Sequence, residues 1–403
     1  MTDEPAKLRR LAVVAAESSG DALGAALIAA LRRKAGTDFE LIGVGGEAME
    51  AEGLTPLFDY HALAIVGASD VVKRLPLIAW RIRQAASAVI RARPDALIII
   101  DSPGFTHRVA RIVHRALPDL PIINYVCPTV WAWKPRRAGR MRGYIDHVLS
   151  VLPFEPAIVA ELGGPPVTYV GHSLISDPGL VAAQASQMEK RLEPIGHDLP
   201  GRTCLVLPGS RTSELTRILP VLELALAELA TRNPGMRFVL PAVRRHETRI
   251  RDAVAGWSVK PEIVVGPEEK WRAFGMADAA IAASGTVLLE LAIAGVPCVS
   301  IYKLDPLAKL LMWRITTWTA ALPNMIADYP VISEYVNEAV RPKMLARWME
   351  RLAADTLQRK AMIEGFDIVR ARMKTEEPPS EHAARVVMET IRAKARRRGK
   401  APA

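Results

Sequence analysis

Four short stretches carry side chains that could do chemistry together, and each follows directly on an apolar run. Glu17, Ser19, Gly20 and Asp21 follow RLAVVA, and Asp101 ends ALIIID. Gly209, Ser210 and Arg211 follow CLVLP; Ser284, Gly285 and Thr286 follow DAAIAA, with Glu290 four residues past Thr286. A glycine lets backbone approach a ligand closely, the first turn of a helix offers free N–H groups and a positive dipole end, and a guanidinium suits phosphate. Residues 209–211 therefore read as an anion site or as a plain turn with a surface arginine. They are not a Walker loop, because the Gly-Lys-Ser/Thr ending is absent. Residues 284–286 would add a second set of helix-start N–H groups. Glu290 can share a helix face with Thr286. A carboxylate there can accept from both ribose hydroxyls of a nucleotide, or it can merely complement the helix dipole. The small-Gly-Thr-x-x-x-Glu pattern, followed by a Gly-x-Pro turn into another apolar run, favours the ribose.

The elements that must hold these residues are legible in the apolar runs. RLAVVAA, FELIGVGG, PDALIII, LPIINYVCP, HVLSVLP and VTYVGH read as strands with helical stretches between them. TCLVLPGS, RFVLPAV, EIVVG, DAAIAAS and VPCVSIY repeat the grammar. Continuous Val/Ile/Leu runs mean strands covered on both faces, hence parallel sheets, and the helices complete βαβ units. The chain of 403 residues is too long for one ordinary core. The expected fold is α/β, two Rossmann-like parallel-sheet domains facing a cleft. Residues 1–175 would form the first domain, 176–345 the second and 346–403 a helical tail packing back toward the first, with a basic terminus. A linker is expected near the irregular stretch 178–200. Ligands of such sheets bind beyond the carboxyl ends of strands, where all four stretches should lie. Pro220 predicts a kink or a late start in the helix after Arg211.

Composition narrows the class. Half the residues are apolar and the net charge is +10. Part of that charge is the tail RAKARRRGK, and much of the rest lies in residues 73–142. A basic surface attracts nucleic acid or an anionic membrane. The three cysteines sit in apolar runs and match no metal spacing, which reads as buried thiols in a reducing compartment. The polar start MTDEPAKLRR is no signal peptide, and no apolar stretch reaches the ~20 residues of a membrane span. Two segments interleave apolar residues and tryptophan with cations. In 71–83, Leu75, Leu77, Ile78 and Trp80 stand among Lys73, Arg74, Arg81 and Arg83; 307–318 does the same. They read as interfacial membrane segments or as core helices with snorkelling cations. WAWKPRRAGRMR, 131–142, directly follows a strand, which favours a structural or substrate role over a nucleic-acid patch. No RNA-binding signature is present, so no nucleic acid is expected as a partner. His172 ends a strand and carries no assignment.

The constellation at 284–290 resembles the nucleotide half of GT-B glycosyltransferases. AESSGDALGAALI, IDSPGF, CPTVWAWKPRR, VLPFE, YVGHSL, LVLPGSR, ASGTVLLE and LPNMIA occur in that order. Together they resemble the lipid-A-disaccharide synthases over nearly the whole chain. Ala16 and Ser18 stand where that pattern leads one to expect Gly and Ala, which removes no polar group. The resemblance implies an inverting transfer from a UDP-linked 2,3-diacylglucosamine to a 2,3-diacylglucosamine 1-phosphate at the cytoplasmic face of the membrane. Products would be a β(1→6) disaccharide 1-phosphate and UDP. Gly209, Ser210, Arg211, Ser284, Gly285, Thr286, Glu290 and Asn324 would then hold the UDP donor. Arg211 would also stabilise the leaving group. Glu17, Ser19, Gly20 and Asp21 would line the acceptor side, with an N-cap role for Ser19 or Asp21 as the alternative. Asp101 would be the base that takes the acceptor's hydroxyl proton; its alternative is to cap a helix over 104–117. No carboxylates cluster with metal spacing, so no metal and no cofactor is expected, with cationic groups and helix ends in their place. Two other classes would fit parts of the pattern: another UDP-sugar enzyme, such as a 2-epimerase, or a basic nucleic-acid-binding protein.

Overall fold

The computed structural model describes residues 8–36, 38–63, 68–192, 199–305 and 315–399, and only the backbone of 62–63, 68–74 and 398–399. The chain forms two compact units, one of residues up to Ser173 together with Thr375 onward, the other Leu174–Lys374.

The first unit runs β1 (Arg10–Ala15), α1 (Ser18–Ala35), β2 (Glu40–Val44), α2 (Glu47–Ala51), α3 (Ala68–Ala92), β3 (Ala96–Ile100), α4 (Thr106–Ala116), β4 (Ile122–Tyr125), α5 (Arg136–Met141), β5 (His147–Ser150), α6 (Glu155–Glu161) and β6 (Val167–Tyr169). All strand pairs are parallel, in the order β2-β1-β3-β4-β5-β6. β3 is buried along its whole length, as its unbroken apolar sequence requires. Ile82, Val89, Val109 and Val113 cover one face of the sheet. Leu27, Ile28 and Leu31 cover the other.

The second unit runs α7 (Pro178–Lys190), β7 (Thr203–Leu207), α8 (Thr212–Arg232), β8 (Arg237–Ala242), α9 (Glu247–Ala255), β9 (Glu262–Val265), α10 (Pro267–Met276), β10 (Ala279–Ala283), α11 (Thr286–Ala294), β11 (Cys298–Tyr302), α12 (Leu322–Ala327), β12 (Glu334–Val336), α13 (Pro342–Ala353) and α14 (Leu357–Met373). Its sheet is again parallel, in the order β12-β11-β10-β7-β8-β9.

Three expectations change here. The stretch expected as a linker begins with the helix α7. Asp177 accepts from the Leu180 N–H and Pro178 stands at the first position, a regular helix start. The Gln187 amide then donates to the carbonyls of Phe274, Gly275 and Ala277, tying α7 to α10. Secondly, the segment 346–403 divides. Leu345, Met349, Met362 and Phe366 of α13 and α14 are buried in the second unit. Only α15 (Pro379–Gly399) joins the first, where Val387 and Met388 pack with Leu27 and Leu31 of α1. Thirdly, α8 starts directly at Thr212 and carries Pro220 inside it.

Candidate functional site

Strand order fixes where each unit can bind. In the first sheet the chain moves from β1 outward to β2 and returns on the other side as β3. The switch point therefore lies between the loops after β1 and β3. Those loops carry Glu17 and Asp101. In the second sheet β7 leads to β8 and β9, and the chain returns as β10 beside β7. Its switch point lies between Gly209–Arg211 and Ser284–Thr286.

At the first switch point Asp101 and Ser102 both adopt left-handed backbone, with φ of 49° and 42°. Each costs on the order of 1–3 kcal/mol for a non-glycine residue. Val126 and Lys134, after β4, share the region, so four of the seven such residues among those described lie beyond the carboxyl ends of neighbouring strands. The Asp101 carboxylate accepts from its neighbour, the Ser102 N–H, at 2.7 Å. The Ser102 hydroxyl donates to Glu17 Oε1 at 2.6 Å, joining the two loops. Burial raises the Asp101 pKa above the ordinary aspartate value, and the nearby Glu17 charge adds to it, against the Ser102 hydrogen bond. Helix α4 starts at Thr106 behind Phe105 without a side-chain cap, so Asp101 is not its N-cap.

The AESSGD residues separate. Glu17 and Ser19 are exposed. Gly20 and Asp21 are buried and serve packing. A Cβ on Gly20 would lie 3.3 Å from Ala15 Cβ, so this glycine seats α1 on β1. Asp21 caps neither its own helix nor faces solvent; it accepts from the N–H groups of Gly46, Ala48 and Met49 at 2.7, 3.0 and 3.2 Å. Its carboxylate thus holds the start of α2, a position that spacing along one helix could not reveal.

At the second switch point Gly209 has φ of 101°, and a Cβ there would meet Glu214 Oε2 at 2.3 Å. Glu214 Oε2 accepts from the N–H groups of Ser210 and Arg211 at 2.9 and 3.1 Å, and its Oε1 accepts from the Arg211 guanidinium at 2.9 Å. The carboxylate folds this loop and takes two of the N–H groups expected to be free for an anion. Arg211 itself is 73% exposed, with one guanidinium nitrogen held by Glu214. Arg245 donates to the Ser210 carbonyl at 2.8 Å, and His246 Nε2 lies 3.0 Å from the same oxygen. The cationic character of this corner is therefore greater than PGSR alone implies. A glutamate three residues past a helix corner was the available signal for Glu214.

Ser284 is half-buried, with its N–H bonded to the Ile301 carbonyl, while Gly285 and Thr286 are exposed. Gly285 has φ of 155° and no neighbour near its missing Cβ, and no side chain caps α11. No capping side chain therefore takes its first N–H groups. Glu290 is paired with Lys270, whose Nζ lies 2.6 Å from Oε2.

Asn324 does not belong with this group. It is 1% exposed. Its side chain accepts from the N–H groups of Val331 and Ile332 and donates to the Ile332 carbonyl and to Thr319. That is a loop-holding residue with its polar atoms already used.

The tryptophan stretch finds a partner the sequence did not single out. Glu155 is buried; it accepts from Trp131 Nε1 at 3.1 Å and from the Leu152 N–H at 3.3 Å. Burial pushes its carboxyl up to about 8 despite those bonds. His172 is held neutral by burial, its pKa lowered to about 4. Of the two amphipathic segments, 307–314 lies outside the described residues. In α3, Leu75, Leu77 and Trp80 are exposed, whereas Ile78 turns inward onto the core. No helix among the described residues is long and apolar enough to cross a membrane.

Two parallel six-stranded sheets, each with its loops gathered at a switch point, define the GT-B class. A solved glycotransferase of kitacinnamycin superposes with a TM-score of 0.59 at 16% identity, covering 95% of this chain and 99% of that one. A UDP-GlcNAc 2-epimerase from Neisseria meningitidis, solved with UDP-GlcNAc, gives 0.55 at 12%, covering 96% and 100%. The sequence goes further: residues 11–387 match the model of the Lipid-A-disaccharide synthetase family. A lipid-A-disaccharide synthase from Bradyrhizobium diazoefficiens is 43% identical over 386 residues, 95% of this chain and 97% of the relative. The chain belongs to the Lipid-A-disaccharide synthetase family and is an enzyme of that kind.

Proposed function

We propose that this enzyme makes the lipid A disaccharide by transferring 2,3-diacylglucosamine from UDP to the 6-hydroxyl of 2,3-diacylglucosamine 1-phosphate. The observation that carries the reading is the contrast between the switch points: a strained, half-buried carboxylate at one, a cation-lined pair of helix corners at the other. Asp101 accepts the proton of the attacking hydroxyl, and its raised pKa makes it a better base than an ordinary aspartate. Ser102 links Asp101 to Glu17, which with Ser19 contacts the acceptor. Inversion at the anomeric carbon needs one displacement and no covalent enzyme nucleophile. Arg211, with Arg245 behind it, stabilises the charge that grows on UDP, an interaction strongest in the transition state. The open first turn of α11 binds the diphosphate and Glu290 the ribose. These cationic groups and helix ends serve in place of a divalent ion.

The exposed Leu75, Leu77 and Trp80, with Arg81 stacked 4.5 Å over the Trp80 ring, support α3 as the contact with an anionic membrane surface on the cytoplasmic side. Leu75→Ser, Leu77→Ser and Trp80→Ser together should abolish pelleting with phosphatidylglycerol vesicles; undiminished pelleting of the folded variant removes α3 from the role. The reaction is tested by mixing radiolabelled acylated donor with acceptor in the presence of EDTA. A labelled disaccharide phosphate and UDP are expected. A UDP-sugar epimer without disaccharide would refute the reading, and loss on chelation with rescue by Mg²⁺ would refute the metal-free part.

A further inference from the structure

The second unit carries a groove remote in sequence from the residues of its switch point. It lies between α8 and α13 and encloses about 1140 Å³, above the ~300–1,000 Å³ of a small-molecule pocket. Arg341, Lys343, Arg347 and Arg351 line it. Among the described residues none of these four makes an ion pair, while the acid of the lining, Glu228, is engaged by Arg232. Along α13 the row Lys343, Arg347 and Arg351 spans roughly 12 Å at ~1.5 Å per residue, and Arg341, at the cap before the helix, extends it. Trp348 forms part of the wall, fixed by its donation to the Tyr335 hydroxyl at 2.7 Å, and Leu224 of α8 stands 59% exposed beside it.

We propose that this groove docks an extended acidic segment of a partner protein. Its carboxylates lie along the cation row, and an apolar side chain is seated against Leu224 and Trp348. Charge complementarity selects an anion, and length selects a chain: an extended peptide at ~3.3 Å per residue covers the row with about five residues, where a single phosphate would meet only one or two cations. Concavity argues against a bilayer, which a flat or convex face meets more fully. Three uncompensated cations four residues apart on one short helix, Lys343, Arg347 and Arg351, repel one another, and an acidic guest relieves that repulsion.

The test uses the full-length enzyme and a fluorescein-labelled six-residue peptide alternating glutamate and leucine. Saturable binding by fluorescence anisotropy is expected, weakening as salt is raised. Arg347→Glu with Arg351→Glu should lower the affinity about tenfold or more. Arg347→Lys with Arg351→Lys should stay within about threefold, and disaccharide turnover and melting temperature should remain parental in both. Absence of saturable binding to the parent, or equal binding by the charge-reversed variant, overturns the proposal. So does a reversal that spares peptide binding but abolishes pelleting with phosphatidylglycerol vesicles, which would assign the row to lipid.

Discussion

The two sheets share a strand-crossing plan, yet their switch points have opposite chemistry. At its switch point the first edge joins the carboxylates Glu17 and Asp101, with Glu155 buried beside the Trp131 loop, whose cations Lys134, Arg136 and Arg137 follow β4. The second gathers Arg211, Arg245, His246 and Lys270, with Glu214 and Glu290 serving to hold cations in place. One topology thus presents a carboxylate pair in one unit and guanidinium groups in the other, the difference on which the proposed roles of proton acceptor and anion stabiliser rest. The fold sets where a site can be, and the loop residues set its sign.

The contrast breaks most visibly at Asp101. Asp101→Asn should lower turnover ~100-fold or more, with near-parental melting and retained UDP binding, because the amide oxygen still accepts from Ser102. The parent's acid limb should lie above the ordinary aspartate value of 3.8, rate being lost as pH falls through the raised pKa. A folded Asp101→Asn enzyme within a few-fold of parental turnover would move the base to Glu17. At the other edge, Arg211→Ala should cost about 10- to 100-fold, the ~1.5–3 kcal/mol of a charged hydrogen bond. Arg211→Lys should cost less, keeping charge but losing the fork. Equal, near-parental rates for both would return the loop to a plain turn. Asp21→Ala sharpens the membership of the first edge. It leaves three N–H groups without their acceptor, two of them buried, so stability should fall by about 1–3 kcal/mol while turnover of the folded fraction stays within a few-fold. A selective turnover loss at parental stability would put Asp21 back among the acceptor contacts. Glu155 leaves turnover untouched and acts on stability alone. Its pKa rises from 4.5 unfolded to about 8 folded, so its contribution is full below 4.5 and is lost as pH climbs through 8. Melting temperature should drop by several degrees over that range, and Glu155→Gln should flatten the drop.

Much of this was legible because it is local. Strands such as ALIII announce burial on both faces, and the four loop stretches follow strands because α/β units put loops there. What stayed hidden needed partners distant in sequence. Asp21 looks like a helix-start residue until the Gly46 turn folds over it. Asn324 looks like a polar loop group until Val331 and Ile332 close on it. The α7 start signals, Asp177 and Pro178, were present and outweighed by the irregular composition that follows them. Glu155 sits in LPFE with nothing in spacing to say that Trp131 will cover it.

The last helix has a consequence for how the protein is made. α15 closes the first core against α1, with Lys394 reaching Asp146 at 2.7 Å and Arg33 reaching Glu381 at 2.7 Å. Yet the ribosome must deliver the whole second unit, roughly two hundred residues, before that helix emerges. At ~5–20 residues per second this leaves the apolar side of α1 uncovered for about 10–40 s. The second unit, by contrast, is contiguous and can fold as it is synthesised. The nascent first unit therefore keeps apolar surface of α1 exposed until α15 arrives.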